Sequence, residues 1–179
     1  MTLRLCVVTS LAVVIFTAPI TATGGQSPTV TPVAPAALQT LLPSVVGWTN
    51  TPIRASQIVM SPESTYTFAS FTLSKGDWNV KLQLSDTGGS SDSLTALAMV
   101  VICPPGDLTS DMPAQTIKRM KVGGFPAAEL WNADKNSGEI TAVISNRFVV
   151  TVDSSNVDSL RTLREIFAKI DLQAIAALK

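Results

Sequence analysis

Hydrophobic and polar positions divide the chain into three kinds of stretch. Residues 5–16 are almost uninterruptedly apolar, residues 66–73 and 78–84 alternate, and residues 157–170 repeat at helical spacing. In residues 78–84, Trp78, Val80, Leu82 and Leu84 fall on one side, and Asn79, Lys81 and Gln83, followed by Ser85, on the other. The alternation predicts strands over 66–73 and 78–84, joined by Ser74-Lys75-Gly76-Asp77 into an antiparallel hairpin. One face of that hairpin is wet or is covered by something polar.

Further strands are expected at 115–122, 127–131, 140–145 and 148–153. They are linked by Gly123-Gly124-Phe125-Pro126, by residues 133–138 and by Asn146-Arg147, which suits a meander. A short helix over 36–42, closed by Pro43, is expected before them, and Trp48 is expected as a lid on the core. A helix carrying Leu94, Leu97, Ala98, Val101 and Ile102 is capped by Asp92 or Ser93 and ended by Pro104-Pro105-Gly106. From Val157 the stripe Leu160, Leu163, Phe167 and Ile170 predicts a third helix, with Ser155 and Asp158 resembling a capping box. Asp171 starts a last short helix with Leu172, Ile175 and Leu178 inward. The expected fold class is α+β: an antiparallel β-sheet of about six strands with helices on one or both faces.

The opening apolar run changes the picture from fold to destination. Arg4 precedes it, and the small residues Thr21-Ala22-Thr23-Gly24-Gly25 follow. The run is well short of the roughly 20 residues a spanning helix needs, and Pro19 interrupts its end. Residues 1–24 are therefore expected to be a cleavable signal peptide, residues 25–35 a Pro/Thr-rich linker, and residues 36–179 a single domain that is periplasmic or extracellular. Cys6 lies inside the apolar run, so it is not a lipid-carrying cysteine. Cys103 is then the only cysteine left, which removes any intrachain disulfide from the expected fold, and a buried thiol is expected there.

Charge narrows the partners. With 13 Lys plus Arg against 13 Asp plus Glu, loss of Arg4 leaves 12 against 13, about −1. Nucleic acid is not an expected partner, because phosphate neutralisation needs an excess of cations. The densest basic cluster, Lys118-Arg119-Met120-Lys121, is expected to be a solvated strand edge. Stable membrane insertion of the mature chain is not expected either.

Candidate chemistry centres on Asp86-Thr87-Gly88, the triplet found in aspartic proteases, where two aspartates share a proton and activate water. One copy is present, so a homodimer would have to supply the second aspartate, and the strand before Asp86 alternates with Lys81 and Gln83. The expectation is that Asp86 shapes a turn and that Asp86→Asn keeps most of the local geometry. With no His and one mature Cys, ordinary zinc and copper sites are not expected. Residues 134–139 supply oxygen ligands but not in the order of a calcium loop, and are expected to form a polar hairpin turn. No Gly-x-Ser-x-Gly elbow and no Ser-x-x-Lys pair occurs, and no Gly-x-Gly pair for a dinucleotide. No catalytic residue, cofactor or metal is assigned.

Leu41-Leu42-Pro43 with Gly47-Trp48, Asp86-Thr87-Gly88-Gly89, Gly124-Phe125-Pro126-Ala127, Arg147-Phe148-Val149-Val150 and Ile170-Asp171-Leu172 with Leu178-Lys179 resemble segments of a loosely defined set of uncharacterised exported bacterial proteins. The element order is similar to the α/β/α sandwich of the PsbP/Mog1-like class. That resemblance implies an accessory or partner-binding role and carries no catalytic residue with it. The expected function is an exported non-catalytic module that binds a protein partner or small ligand. The alternatives are an aspartic-type hydrolase using Asp86 in a homodimer, and a structural envelope component. Expected partner surfaces are the loop 107–113 and the turn 123–126, with Phe125 either displayed there or plugged into the core.

Overall fold

The computed structural model describes residues 30–61, 64–102 and 115–178. Along them run α1 (Pro35–Gln39), β1 (Thr49–Asn50), β2 (Arg54–Ser61), β3 (Ser64–Lys75), β4 (Trp78–Asp86), α2 (Ser91–Ile102), β5 (Gln115–Val122), β6 (Phe125–Asn132), β7 (Ser137–Ile144), β8 (Phe148–Ser154), α3 (Leu160–Phe167) and α4 (Leu172–Ala176). The strands form one antiparallel sheet in the order β1-β3-β4-β8-β7-β6-β5, with β2 paired to the same edge of β3 as β1. Two meanders are thus zipped together by the β4–β8 ladder, which runs from Val80↔Ser154 to Asp86↔Phe148.

The sheet has eight strands rather than about six. The two additions are β1, only two residues long, and β2, whose sequence Arg-Ala-Ser-Gln-Ile-Val mixes polar and apolar residues on both sides. An edge strand with little to bury needs no clean alternation, so it leaves no period to detect. Phe125 and Pro126 belong to β6 rather than to a link. The turn before them is Gly123-Gly124 alone, with φ of +59° and +91°, the conformation a tight two-residue hairpin requires. The cap of α2 is Ser90, whose Oγ accepts from the Ser93 amide at 3.4 Å, in place of Asp92 or Ser93. Helix α3 begins at Leu160, three residues later than the apolar period suggests, and Asp158 accepts from the Thr162 and Ser159 hydroxyls. Asp171 caps α4 as expected, accepting from the Gln173 and Ala174 amides at 3.1 and 2.9 Å.

Side chains that alternate along the strands separate two faces. On one, Phe71, Leu73, Val80, Leu82, Leu84, Val150, Val152 and Ile140 pack with Leu38 of α1, with Leu163 and Phe167 of α3, and with Leu172 and Ile175 of α4. The closing helical segment is therefore anchored in the core through Leu163, Ile166, Phe167, Ile170, Leu172 and Ile175, each fully buried aliphatic or aromatic side chain contributing roughly 1.5–3 kcal/mol. On the other face, Val143 and Val149 form a small cluster with Leu94 and Ala98 of α2. Among the described residues helices thus cover both faces, the second only in part. No helix among the described residues is long and apolar enough to cross a membrane.

Candidate functional site: the open sheet face and the Asp86 latch

Asp86 ends β4 on the helix-covered face, with no exposed surface. The Arg147 guanidinium grips it bidentately, Nε donating to Oδ1 and Nη2 to Oδ2, each at 2.8 Å. The Gly88 amide donates to Oδ1 at 2.9 Å and the Val33 amide to Oδ2 at 2.8 Å. A carboxylate has about four acceptor positions, and here four donors fill them. The Gly88 carbonyl in turn accepts from the Val30 amide at 2.8 Å, and the Thr87 hydroxyl donates to the Arg147 carbonyl at 2.7 Å. A Cβ on Gly88 would collide with the Val30 carbonyl oxygen, so the Asp-Thr-Gly triplet has a steric reason for its glycine.

The aspartate therefore does shape a turn, and it also fastens the chain before α1 to the β7–β8 turn, 61 residues away at Arg147. This corrects the expectation for Asp86→Asn. An amide would turn an NH2 donor toward a guanidinium or a backbone N–H and strip a nearly buried cation of its counter-charge. The Arg147 pKa is pushed above its ordinary value chiefly by this hydrogen bond. Val30 and Val33, inside the stretch expected as a linker, are among the residues so held.

A second bidentate pair joins α3 to the sheet: Arg164 Nε and Nη2 reach Glu129 Oε1 and Oε2 at 2.7 and 2.6 Å. Glu129 is buried while half of the Arg164 side chain is exposed. Lys118 lies opposite Glu129 on β5, and with Met120 and Phe167 they line a cleft of about 320 Å³.

A recess of about 730 Å³ lies on the other side of the sheet, over the half that α2 leaves uncovered. It arises from side-chain size along β3: Tyr66 and Phe68 stand up as a wall, then Ser70 and Thr72 leave a low floor. The two rings are tilted at 42° with centroids 6.4 Å apart. Gln83 and Lys81 of β4 continue the floor, and Arg54 of β2 closes the rim. Among the described residues no acidic side chain lines the recess. Beyond it, Lys81 faces Asp153 of β8, which faces Glu139 of β7. Burial pushes the Asp153 carboxyl pKa up, Glu139 adds to the rise and Lys81 opposes it.

Lys81 and Gln83 were legible as the polar side of an alternating strand. Arg54, Tyr66 and Phe68 were not singled out, although Tyr66, Phe68, Ser70 and Thr72 form an i, i+2 series that departs from the apolar series beside it. The loop 107–113 and Cys103 lie outside the described residues. Phe125 is half-buried and packs against the main core, and the Gly123 carbonyl beside it accepts from Gln173 at 3.2 Å. The basic cluster sits on β5, an end strand of the sheet order, and is split between the two faces: Lys118 and Met120 on one, Arg119 and Lys121 on the other. Arg119 reaches the Val100 carbonyl of α2 at 3.1 Å. Residues 133–136 form the turn between β6 and β7, and Asn132 accepts there from the Lys135 amide at 3.0 Å. Searches against protein-family models, curated proteins and solved structures yield no match to this chain.

Proposed function

We propose that the protein is an exported, non-catalytic binding module whose ligand or partner seats on the open half of the sheet. The recess beside α2 carries the reading. Its volume, about 730 Å³, is that of ligand pockets, and its lining combines aromatic faces with a few polar and cationic groups. Export rests on the charged, apolar and small-residue sequence of residues 1–24. A partner-binding role in the manner of PsbP/Mog1-like accessory proteins is part of this proposal and rests on the element order read from the sequence.

The hydrolase alternative finds little support at Asp86. Its acceptor positions are taken up by Arg147, Gly88 and Val33, which leaves none for a water or a second aspartate. Protein-observed NMR with a library of cationic, neutral and anionic fragments tests the reading. Perturbed amides are expected over Phe68 to Thr72 and Lys81 to Gln83, while the wild-type protein shows no pepstatin-sensitive peptidase activity in acid. Fragments that cluster only in the β5–α3 cleft, no saturable binding anywhere, or such peptidase activity would each overturn it.

A further inference from the structure

The recess is polarised along β3, and this polarity identifies a class of ligand. Tyr66 and Phe68 lie at one end, and the cations Arg54 and Lys81 flank the rows of Ser70 and Thr72 at the other. Arg54 pairs across the ladder with Ser70, which pairs with Gln83, while Lys81 pairs with Thr72 one row further on. Two strand spacings and one row of side chains separate the Arg54 and Lys81 backbones, roughly 12 Å. Both side chains are long enough to converge on one anion between them. Neither makes an ion pair among the described residues, and both are exposed.

The floor beneath that point supplies further donors, the Ser70 and Thr72 hydroxyls and the Gln83 amide. One row back, about 7 Å along the strand, stands the Phe68 ring. A strand whose outer face needed only solubility would not follow two aromatic rings with two small hydroxyl residues and set cations on both sides of the step. Asp153 beyond Lys81 marks where the positive region ends, and it would repel an anion that slid toward β8.

Resting on the binding-module reading, we infer that the recess takes a small organic anion: a planar apolar body lies against Tyr66 and Phe68, and a carboxylate or phosphate about one side-chain row away sits between Arg54 and Lys81. The flat body gains from burial against aromatic faces. The anion gains from two cations in a partly enclosed setting, where charge-assisted hydrogen bonds are stronger than neutral ones.

The test titrates the protein, purified after export, with 3-(2-naphthyl)propanoate and with its primary amide, which has the same shape without the charge. The carboxylate is expected to perturb the Phe68, Ser70, Thr72 and Gln83 amides and to bind at least tenfold more tightly than the amide. In the double variant Arg54→Ala, Lys81→Ala, the two compounds should bind alike, at the amide's affinity; both positions are exposed, so the fold is expected to survive. Equal affinities for the wild type, a preference that persists in the double variant, or perturbations outside the recess would overturn the ligand class. If the amide still occupies the recess in those cases, the binding-module reading stands without it. If neither compound nor any library fragment binds there, both fall.

Discussion

The two faces of the sheet solve different problems with the same strands. The face under α1, α3 and α4 presents Phe71, Leu73, Val80, Leu82, Leu84, Val150 and Val152, all buried, and meets polar groups mainly where a partner is fixed, as at Asp86 and Glu129. The face partly under α2 interleaves Tyr66, Phe68, Ser70, Lys81, Gln83, Thr151 and Asp153, and its buried cluster is confined to Val143, Val149, Leu94 and Ala98. Apolar burial is non-directional and tolerates no lone charge, so the first face is constrained to one composition. The second face is free of that constraint over half its width, and its aromatic, hydroxyl and cationic residues are arranged in space rather than scattered. Stability resides on the first face, and the proposed function places recognition on the second.

The comparison breaks most severely at Asp86. Asp86→Asn removes the charge that holds Arg147 and turns a donor toward donors, and opening a buried ion pair by changing one partner costs about 3–5 kcal/mol. That is a large share of the roughly 5–15 kcal/mol of a whole domain. Urea denaturation should show a midpoint far below that of the wild type. A midpoint within error of the wild type would mean that the latch between Val33, Gly88 and Arg147 holds nothing together.

A sharper contrast uses neighbours in one strand. Leu82 is fully buried on the covered face, whereas Gln83, the next residue, lies on the open one and donates to the Ser85 hydroxyl at 3.2 Å. Leu82→Ala is expected to cost about 2–5 kcal/mol through lost burial and the cavity left behind. Gln83→Ala is expected to stay within about 0.5 kcal/mol of the wild type. Thermal or chemical melts of the two variants measure this directly, and similar costs would mean that the open face is load-carrying core.

How far the sequence could be read follows the same division. The covered face was legible because a buried face imposes a period: Val80, Leu82 and Leu84 mark β4, and Leu163, Phe167 and Ile170 mark the closing helices. Strand β2 was not, since both its sides mix polar and apolar residues. Asp86-Thr87-Gly88 announced a turn, because the carboxylate, the Gly88 amide and the glycine are local to it. Its partners Arg147 and Val33 lie 61 and 53 residues away, at separations where only the folded chain makes them neighbours. The same holds for the 35 residues between Glu129 and Arg164. The recess lay between these cases: Lys81 and Gln83 stood out against an apolar alternation, but nothing local indicated that Arg54 would close its rim.

The smallest expected effect lies on the open face, at the carboxylates beyond the recess. Asp153 and Glu139 stand opposite each other on β8 and β7, a like-charged pair. Burial first, then Glu139, raises the Asp153 carboxyl above its ordinary 3.8 in spite of Lys81. Between the ordinary and the raised value the folded state therefore holds more of this proton than the unfolded one. By linkage, this group's contribution to stability falls as pH rises through that window and stays at its lower level above it. Asp153→Asn removes the charged form, so the variant should be more stable than the wild type at pH 7, by about 0.2–1 kcal/mol, the scale of a cross-strand pair. The gain should shrink as pH falls through the raised value and vanish only well below 3.8, where the wild-type carboxyl is largely protonated in both states. Urea midpoints of the two proteins at pH 7, 5 and 4 supply the comparison. A variant less stable than the wild type at pH 7 would mean that Lys81 and Asp153 act as a stabilising pair, and that the positive region of the recess ends in an ion pair rather than in a repelling carboxylate.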